Sequence, residues 1–274
     1  MKYKLLATDL DGTLLNKTSL LSAVNIAAVK KARAKGLNVI IASGRSHESI
    51  KNFNAELGIT DKNAYGISFN GAVVYKADTM EILFEKRLDA SACDKIYRAV
   101  KAYDKDAPLI LYTPAGDTVY YERSDPSIER YYTRSKLSSE MVSDLRPLYE
   151  NGVAKLLIRH DPVLLRELYE AVKGELEGVC EMVFSAPHFL ELGVLGNSKA
   201  SGLEFLGDYL GFGLSDMAAA GDNYNDIEMI EAAGLGIAVA NAVDELKAVA
   251  DFVTEADNDH DAVAEIIGRI LKQH

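Results

Sequence analysis

The sequence lacks the features that would place it outside ordinary globular proteins. Among 274 residues there are two cysteines, Cys93 and Cys180, and no Cys-x-x-Cys pair, so we predict buried reduced thiols rather than a disulfide or metal pair. There is no tryptophan and no proline-rich linker. In the N-terminal "MKYKLLATDLDG", the apolar run before the first acids is too short for a signal peptide or a membrane-spanning helix. We therefore expect a cytoplasmic protein with no membrane partner.

The chain also has fewer positively than negatively charged residues. The chain has 30 Lys and Arg against 41 Asp and Glu, which gives a net charge of −11. An acidic protein is a poor partner for nucleic acid and for anionic membranes. If the substrate is itself an anion, the site must therefore contain its own local cations. The five histidines show no metal-ligand spacing, and we interpret them as structural or solvated.

Strand and helix signals alternate at both ends of the chain. This alternation favours a parallel sheet with right-handed crossovers. Glycine follows the first two predicted helices, as is usual at helix C-termini. The predicted elements that matter for the site are strands at 3–7, 37–43, 65–69 and 217–222, with helices at 22–35, 46–57 and 199–210.

The middle of the chain has a different pattern, with strands that favour antiparallel pairing and a polar helix at 127–136. We therefore predict an α/β fold in which both chain ends build one Rossmann-like parallel-sheet core, 1–82 and 193–274. The residues between them, 83–192, form an inserted α+β unit.

Polar residues follow each predicted strand of the parallel sheet. In open α/β sheets this carboxyl edge is where ligands bind. Segments more than 200 positions apart would therefore bring their side chains to one place. These residues are Asp9, Asp11, Gly12 and Thr13 after the first strand, Ser43, Gly44 and Arg45 after the second, Asn70 and Gly71 after the third, and Asp222, Asn223, Asn225 and Asp226 after the fourth.

The closely spaced acids Asp9 and Asp11 need a counter-charge, because like charges in a dry site raise each other's pKa. Together with Asp222 they would suit a hard divalent cation such as Mg²⁺, which prefers a few carboxylate or carbonyl oxygens. Taken alone, "DLDG" is more typical of a turn with Asx-type hydrogen bonds. The acids of "GDNYND" at a matching strand end favour the metal site.

Four motifs in this order resemble the haloacid dehalogenase (HAD) superfamily of phosphatases. They are "DLDGT", "ASGR", the lysine of "GNSKASGLEFL" and "GDNYNDIEM"; "FNGA" and "GIAVANA" are also similar to its Cof-type branch. The resemblance implies that 1–82 and 193–274 form the catalytic core. It also implies that 83–192 form an inserted α+β cap (class IIB), which closes over the cleft and sets specificity.

The resemblance assigns a role to each matching residue. Asp9 would be the nucleophile that forms an aspartyl phosphate. Asp11 would first protonate the leaving alcohol and then activate water. Ser43 and Lys199 would hold the phosphoryl group, and Gly44 would keep the backbone close to it.

The same resemblance implies one Mg²⁺ ion. Its protein ligands would be the carboxylates of Asp9 and Asp222 and the backbone carbonyl of Asp11. Asn225 and Asp226 would orient its waters or Lys199. The ion and the lysine would then be the local cations that the acidic chain otherwise lacks.

Three further residues have two interpretations each. Arg45 would either reach the substrate or cap the helix that follows it. Asn70 and Gly71 would line the cleft, or they would only form a turn before the next strand.

The sequence thus predicts a Mg²⁺-dependent phosphatase that hydrolyses a small phosphate ester, such as a sugar phosphate or a phosphorylated cofactor. The alternatives are phosphoryl transfer of the phosphomannomutase type and a non-catalytic regulator that binds a phosphate ligand on the same fold. Hydride transfer is disfavoured because no GxGxxG follows the first strand. We expect a monomer or a homodimer.

Overall fold

The computed structural model describes residues 2–123 and 137–272, which form two compact units. The core unit comprises Met1–Glu85 and Ser198–His274, and the inserted unit comprises Lys86–Asn197. The helix predicted at 127–136 lies outside the described residues. In the described part of the chain, no helix has both the length and the apolar character needed to cross a membrane.

The predicted boundaries of the insertion, 82/83 and 192/193, fall inside strands and are wrong by a few residues. Ile82–Glu85 pairs antiparallel with the preceding strand and so belongs to the core sheet. Gly193 pairs with Glu181 and so belongs to the inserted unit's sheet. Strand pairing, which hydropathy does not reveal, sets these limits.

The core unit contains an eight-stranded sheet in the order β14-β13-β12-β1-β2-β3-β4-β5. The strands from β14 to β3 are parallel, and β4 and β5 are antiparallel. The bounds are β1 (Leu5–Thr8), β2 (Asn38–Ala42), β3 (Tyr65–Ser68), β4 (Val73–Lys76), β5 (Ile82–Glu85), β12 (Met217–Gly221), β13 (Leu235–Ala238) and β14 (Phe252–Val253).

The register of the two central strands determines where the acids emerge. All four residues of β1 are buried, and Thr8 lies opposite Ala220 of β12. The backbone N–H of Asp9 then donates to the Ala220 carbonyl at 2.8 Å. Asp9 and Asp222 therefore leave the sheet at the same edge, as the strand-end rule predicts.

Local signals fix the helices of the core unit. The helix that follows β2 begins after Ser46, whose hydroxyl accepts the Ser49 N–H, and it ends at Gly58 in the left-handed region. In the core unit α1 packs against α8. The helices are α1 (Ala23–Ala34), α2 (His47–Leu57), α5 (Lys199–Leu210), α6 (Ile227–Ala232), α7 (Asp244–Val249) and α8 (Ala262–Ile270).

The third strand ends one residue earlier than predicted, and the chain then reverses direction. Phe69 and Asn70 both have positive φ, at 50° and 52°. They form a 3-10 turn over Phe69–Gly71, after which β4 runs back antiparallel to β3. An extended strand cannot continue through two left-handed residues.

The inserted unit contains a second sheet with the strand order β10-β11-β9-β6-β7-β8. Among the described strands of this sheet, only β7 and β8 pair in parallel. Its elements are α3 (Ala90–Tyr103), β6 (Leu109–Tyr112), β7 (Thr118–Tyr121), β8 (Ser138–Met141), β9 (Lys155–Arg159), α4 (Pro162–Leu176), β10 (Glu181–Ala186) and β11 (Phe189–Gly193).

Apolar side chains from α3, α4 and alternate strand residues such as Leu109 and Leu111 form the core of this unit. Cys93 and Cys180 are free cysteines in that core, and their predicted burial is confirmed. Burial raises the pKa of both thiols to about 12, so they stay protonated and unreactive at neutral pH.

Candidate active site

A fully buried lysine joins two acids at the carboxyl edge of the core sheet. The Lys199 ammonium lies 2.5 Å from Oδ1 of Asp9 and 2.6 Å from Oδ1 of Asp226. Asp9 follows β1, Asp226 lies in the turn after β12, and Lys199 is the first residue of α5. The sheet topology thus brings together residues that are far apart in sequence.

Asp222 is the third acid of this cluster. One carboxylate oxygen from each of Asp9, Asp222 and Asp226 lies within 4.8 Å of the others. The Thr13 hydroxyl donates to Oδ1 of Asp222 at 2.9 Å and so fixes this half-buried carboxylate. The cluster has the oxygen donors and the spacing to hold a metal ion.

One ammonium does not balance three acids in this environment. Burial raises the pKa of Asp9 well above its usual value; Lys199 opposes this, and the neighbouring acids add to it. Burial and the negative charge of Asp226 raise the pKa of Asp222 to about 7. For Lys199, burial lowers the pKa, but Asp226 and Asp9 outweigh it and hold the ammonium charged.

Asp226 already accepts three hydrogen bonds. Its Oδ1 accepts from Lys199, and its Oδ2 accepts the backbone N–H groups of Asp222 and Asn223 at 3.0 and 3.1 Å. A carboxylate engaged at both oxygens is better suited to orient Lys199 than to ligate a metal itself.

The start of α5 explains why Lys199 reaches the acids. Ser198 and Ser201 form a reciprocal capping box, which defines Lys199 as the first helical residue. Gly71, with a φ of +93°, lies so close that a Cβ there would overlap the Ser198 carbonyl oxygen. The Phe69–Gly71 turn and the helix therefore meet backbone to backbone, and Gly71 has this packing role.

The Asp11 carboxylate is not a member of this three-acid cluster and pairs with Arg45. The Nε and Nη2 of Arg45 lie 2.6 and 2.5 Å from the two carboxylate oxygens of Asp11, in a bidentate fork. The structure thus gives Arg45 a partner that neither predicted interpretation named.

Hydrogen bonds connect the residues that follow β2, β3 and β12. The Ser43 hydroxyl accepts the Arg45 N–H at 3.2 Å, and the Ser43 carbonyl accepts the Asn70 N–H at 3.0 Å. The Asn225 side chain donates to the Asn70 amide oxygen at 3.0 Å. Ser43 is buried, whereas Gly44 is partly exposed in the same loop. The structure therefore groups these predicted residues at one edge.

The sequence reasoning missed two asparagines that brace the loop after β1. Asn241 donates to the Gly12 carbonyl at 2.8 Å, and buried Asn258 donates to the Leu15 carbonyl at 2.8 Å. The Asn258 N–H in turn donates to Asn241 at 2.9 Å. Each asparagine follows a parallel strand, β13 or β14, so the strand-end rule would have found both.

Gly12 is a sensitive position of this loop. Its φ is +87°, and a Cβ there would overlap Oδ2 of Asp222. We expect Gly12→Ala to lower the free energy of unfolding by about 2–4 kcal/mol, because left-handed strain and overpacking add. Urea denaturation measures this loss.

Gly211→Ala is the matched control. Gly211 has a similar φ of +76°, but no atom lies within 4 Å of its would-be Cβ. Its free energy of unfolding should fall by only about 1–2 kcal/mol, because backbone strain is the single cost at this position. Equal losses in the two variants would show that Asp222 moves aside without cost.

A family model for haloacid dehalogenase-like hydrolases matches residues 6–267. The chain belongs to this family. The resemblance predicted from the four motifs is therefore confirmed for this haloacid dehalogenase-like hydrolase, and the match extends through the inserted unit.

Individual relatives span almost the whole chain. YxeH of Bacillus subtilis is 30% identical over 268 residues, 94% of this chain and 95% of the relative. The pyridoxal phosphate phosphatase YbhA of Escherichia coli is 29% identical over 277 residues, 97% and 98% of the two chains.

A solved structure confirms the predicted fold class. The crystal structure of a haloacid dehalogenase-like hydrolase from Bacteroides thetaiotaomicron superposes with a TM-score of 0.87 at 31% identity. The match covers 98% of this chain and 99% of that one. The α/β core sheet with its insertion is therefore shared with that hydrolase.

Proposed function

We propose that this haloacid dehalogenase-like hydrolase is a Mg²⁺-dependent phosphomonoesterase that acts on a small phosphorylated metabolite. The observation that carries the proposal is the fully buried Lys199 ammonium, bonded to Asp9 and Asp226 beside Asp222. A buried cation beside a carboxylate nucleophile provides a place for a dianionic phosphoryl group on an otherwise acidic protein.

In the first half-reaction, a carboxylate oxygen of Asp9 attacks phosphorus, and the bond from phosphorus to the leaving oxygen breaks. Asp11 gives its proton to that oxygen, so an alcohol leaves and Asp11 becomes a carboxylate. Lys199 and the Ser43 hydroxyl hold phosphoryl oxygens, while the backbone at Gly44 stays close to them. Asp226 keeps the ammonium aimed at Asp9.

In the second half-reaction, water attacks phosphorus and the bond to the Asp9 oxygen breaks. Asp11 takes a proton from that water, so inorganic phosphate leaves and both acids return to their starting forms. Splitting the displacement in two lets one carboxyl group serve as acid and then as base.

The residues present fit a divalent cation, because three acids share one ammonium and burial raises the pKa of two of them. Asp9, Asp222 and the Asp11 carbonyl would hold Mg²⁺, and Asn225 and Asp226 would support its surroundings. When bound, the ion neutralises phosphoryl charge. The chain's own residues supply the nucleophile, the proton and the ammonium.

For the substrate, we propose a sugar phosphate or a phosphorylated cofactor. The relative YbhA is named for pyridoxal phosphate, which supports the cofactor class. We assign the choice of ester to the inserted unit, and Asn70 and Gly71 stay predicted substrate contacts. Arg45 was predicted either to reach the substrate or to cap a helix, but its fork to Asp11 favours a different role. The monomeric or homodimeric state also stays a prediction.

The test is phosphate release from a panel of sugar phosphates, nucleotides, pyridoxal phosphate and p-nitrophenyl phosphate. We expect turnover with Mg²⁺, at least a 100-fold loss in excess EDTA because charge neutralisation is removed, and recovery when Mg²⁺ is restored. The measurement is the initial rate of phosphate formation on the same protein sample.

Three other outcomes would each contradict a part of this proposal. Undiminished turnover in EDTA would contradict the metal requirement. Conversion of a sugar phosphate to an isomer without phosphate release would favour phosphoryl transfer. Ester binding measured by calorimetry, with no product, would favour a non-catalytic regulator.

A further inference from the structure

Asp11 acts in the mechanism above, but the bidentate pair that it forms with Arg45 has no role there. Both oxygens of Asp11 face the guanidinium, at 2.6 and 2.5 Å. Lys199 meanwhile bonds Asp9 and Asp226. The two cations thus pair with different acids of the core unit: Lys199 with the buried cluster and Arg45 with the half-exposed Asp11.

The Arg45 backbone is anchored at two points. Its N–H donates to the Ser43 hydroxyl at 3.2 Å, and its carbonyl accepts the Phe69 N–H at 3.0 Å. Its guanidinium carbon also lies 5.5 Å from the centre of the Phe53 ring. The guanidinium is therefore held in one position, and it can hold a bound carboxylate in a defined place.

The Asp11 side chain has more freedom, because 49% of its surface is exposed. A carboxylate with that exposure samples several rotamers unless a partner selects one. A planar fork selects both the position and the plane of the carboxylate, which a point charge cannot do.

We propose that Arg45 is a positioning residue that orients the Asp11 carboxyl group toward the leaving oxygen. The inference rests on the proposed function, in which Asp11 donates that proton. The fork holds the ionised carboxylate; in the protonated acid, one oxygen still accepts from Arg45 while the O–H of the other faces the leaving oxygen. Arg45 acts through Asp11 and does not itself bind the phosphoryl group.

The test compares two esters that differ in their need for an acid. The p-nitrophenolate group leaves without a proton, whereas the alkoxide of an alkyl ester such as glycerol phosphate needs one. The value of kcat/KM reports the steps through the first irreversible one, here phosphorylation of Asp9. The water-activating step therefore does not affect the comparison.

We expect Arg45→Gln to lower kcat/KM for the alkyl ester by about 10- to 100-fold, part of the 10²- to 10⁴-fold that general acid catalysis supplies. For the aryl ester the change should be less than about 3-fold. Arg45→Lys keeps the charge but loses the fork, so it should resemble Arg45→Gln. Full recovery by lysine would overturn the proposal in favour of charge alone.

A double-mutant cycle separates positioning from substrate binding. In an Asp11→Asn background, Arg45→Gln should have no further effect, because the group it orients is already inactive. Additive losses, or an equal rise in KM for both esters, would show that Arg45 contacts substrate and would overturn the proposal.

Arg33→Gln is the matched control, because Arg33 also pairs with an aspartate, Asp61, at 2.7 Å in the core unit. It should leave the ratio of the two kcat/KM values unchanged, and thermal denaturation checks that all variants fold. If the wild-type protein releases no phosphate from either ester, the proposed function fails as well. If phosphate is released but the losses in the double-mutant cycle add, the proposed function stands and the positioning role of Arg45 is rejected.

Discussion

Asp9→Asn is expected to reduce kcat for phosphate release by about 10⁴-fold or more, as loss of a covalent nucleophile does. An amide does not form the acyl phosphate, and water alone does not replace an oxygen held beside the Lys199 ammonium at 2.5 Å. The measurement is the initial rate with p-nitrophenyl phosphate and the best ester of the panel, at saturating Mg²⁺.

The variant should stay folded, because asparagine has nearly the size of aspartate and removes a charge that burial disfavours. Asp216→Asn is the matched control, since Asp216 pairs with Lys4 on the surface of the same unit. It should keep full activity. Turnover that survives Asp9→Asn would rule out the nucleophile assignment.

Lys199→Met is expected to remove both activity and stability. Methionine fits the volume but leaves the carboxylates of Asp9 and Asp226 without their ammonium in a buried site. Breaking a buried ion pair by deleting one partner costs about 3–5 kcal/mol. Urea denaturation without Mg²⁺ measures the loss of folding free energy, and phosphate release measures the loss of turnover.

The stability loss of Lys199→Met should depend on pH in a defined direction. The pKa of Asp9 is already raised in the folded protein, and removing the ammonium raises it further. When the folded-state pKa of an acid lies above its unfolded value of about 4, stability falls as the pH rises from the unfolded to the folded pKa and is constant above it. The loss should therefore be smaller at pH 5 than at pH 8.

Lys4→Met is the control for this prediction, because Lys4 pairs with Asp216 where both side chains are partly exposed. Its loss should be less than about 1 kcal/mol. A loss of similar size in both lysine variants, or one independent of pH, would contradict the view that Lys199 neutralises buried acids.

Much of the site was predictable because the strand-end rule relates positions in the sequence to positions in the fold. Parallel strands end at the same edge, so Asp9 after β1 and Asp222 after β12 had to approach each other. Lys199 became recognisable only through the order of the motifs, since a lysine at a helix start is ordinarily exposed. Its complete burial is decided by packing, including the contact of Gly71 with Ser198.

Other features depend on the tertiary structure alone. The Arg45–Asp11 fork joins two loops, and the local sequence of neither loop indicates the other. Within the inserted unit, Lys155 and Glu191 form a buried ion pair at 2.9 Å between neighbouring strands. Side-chain pairing across strands depends on register, which hydropathy leaves open.

The alternation of strands and helices, the insertion of a second unit and the residues at the strand ends could all be predicted from the sequence. They follow from local periodicity and from the geometry common to parallel sheets. The acid that each cation binds is set by tertiary contacts, because long side chains reach partners on other loops. It also decided where the units divide, because that limit depends on which strands exchange hydrogen bonds.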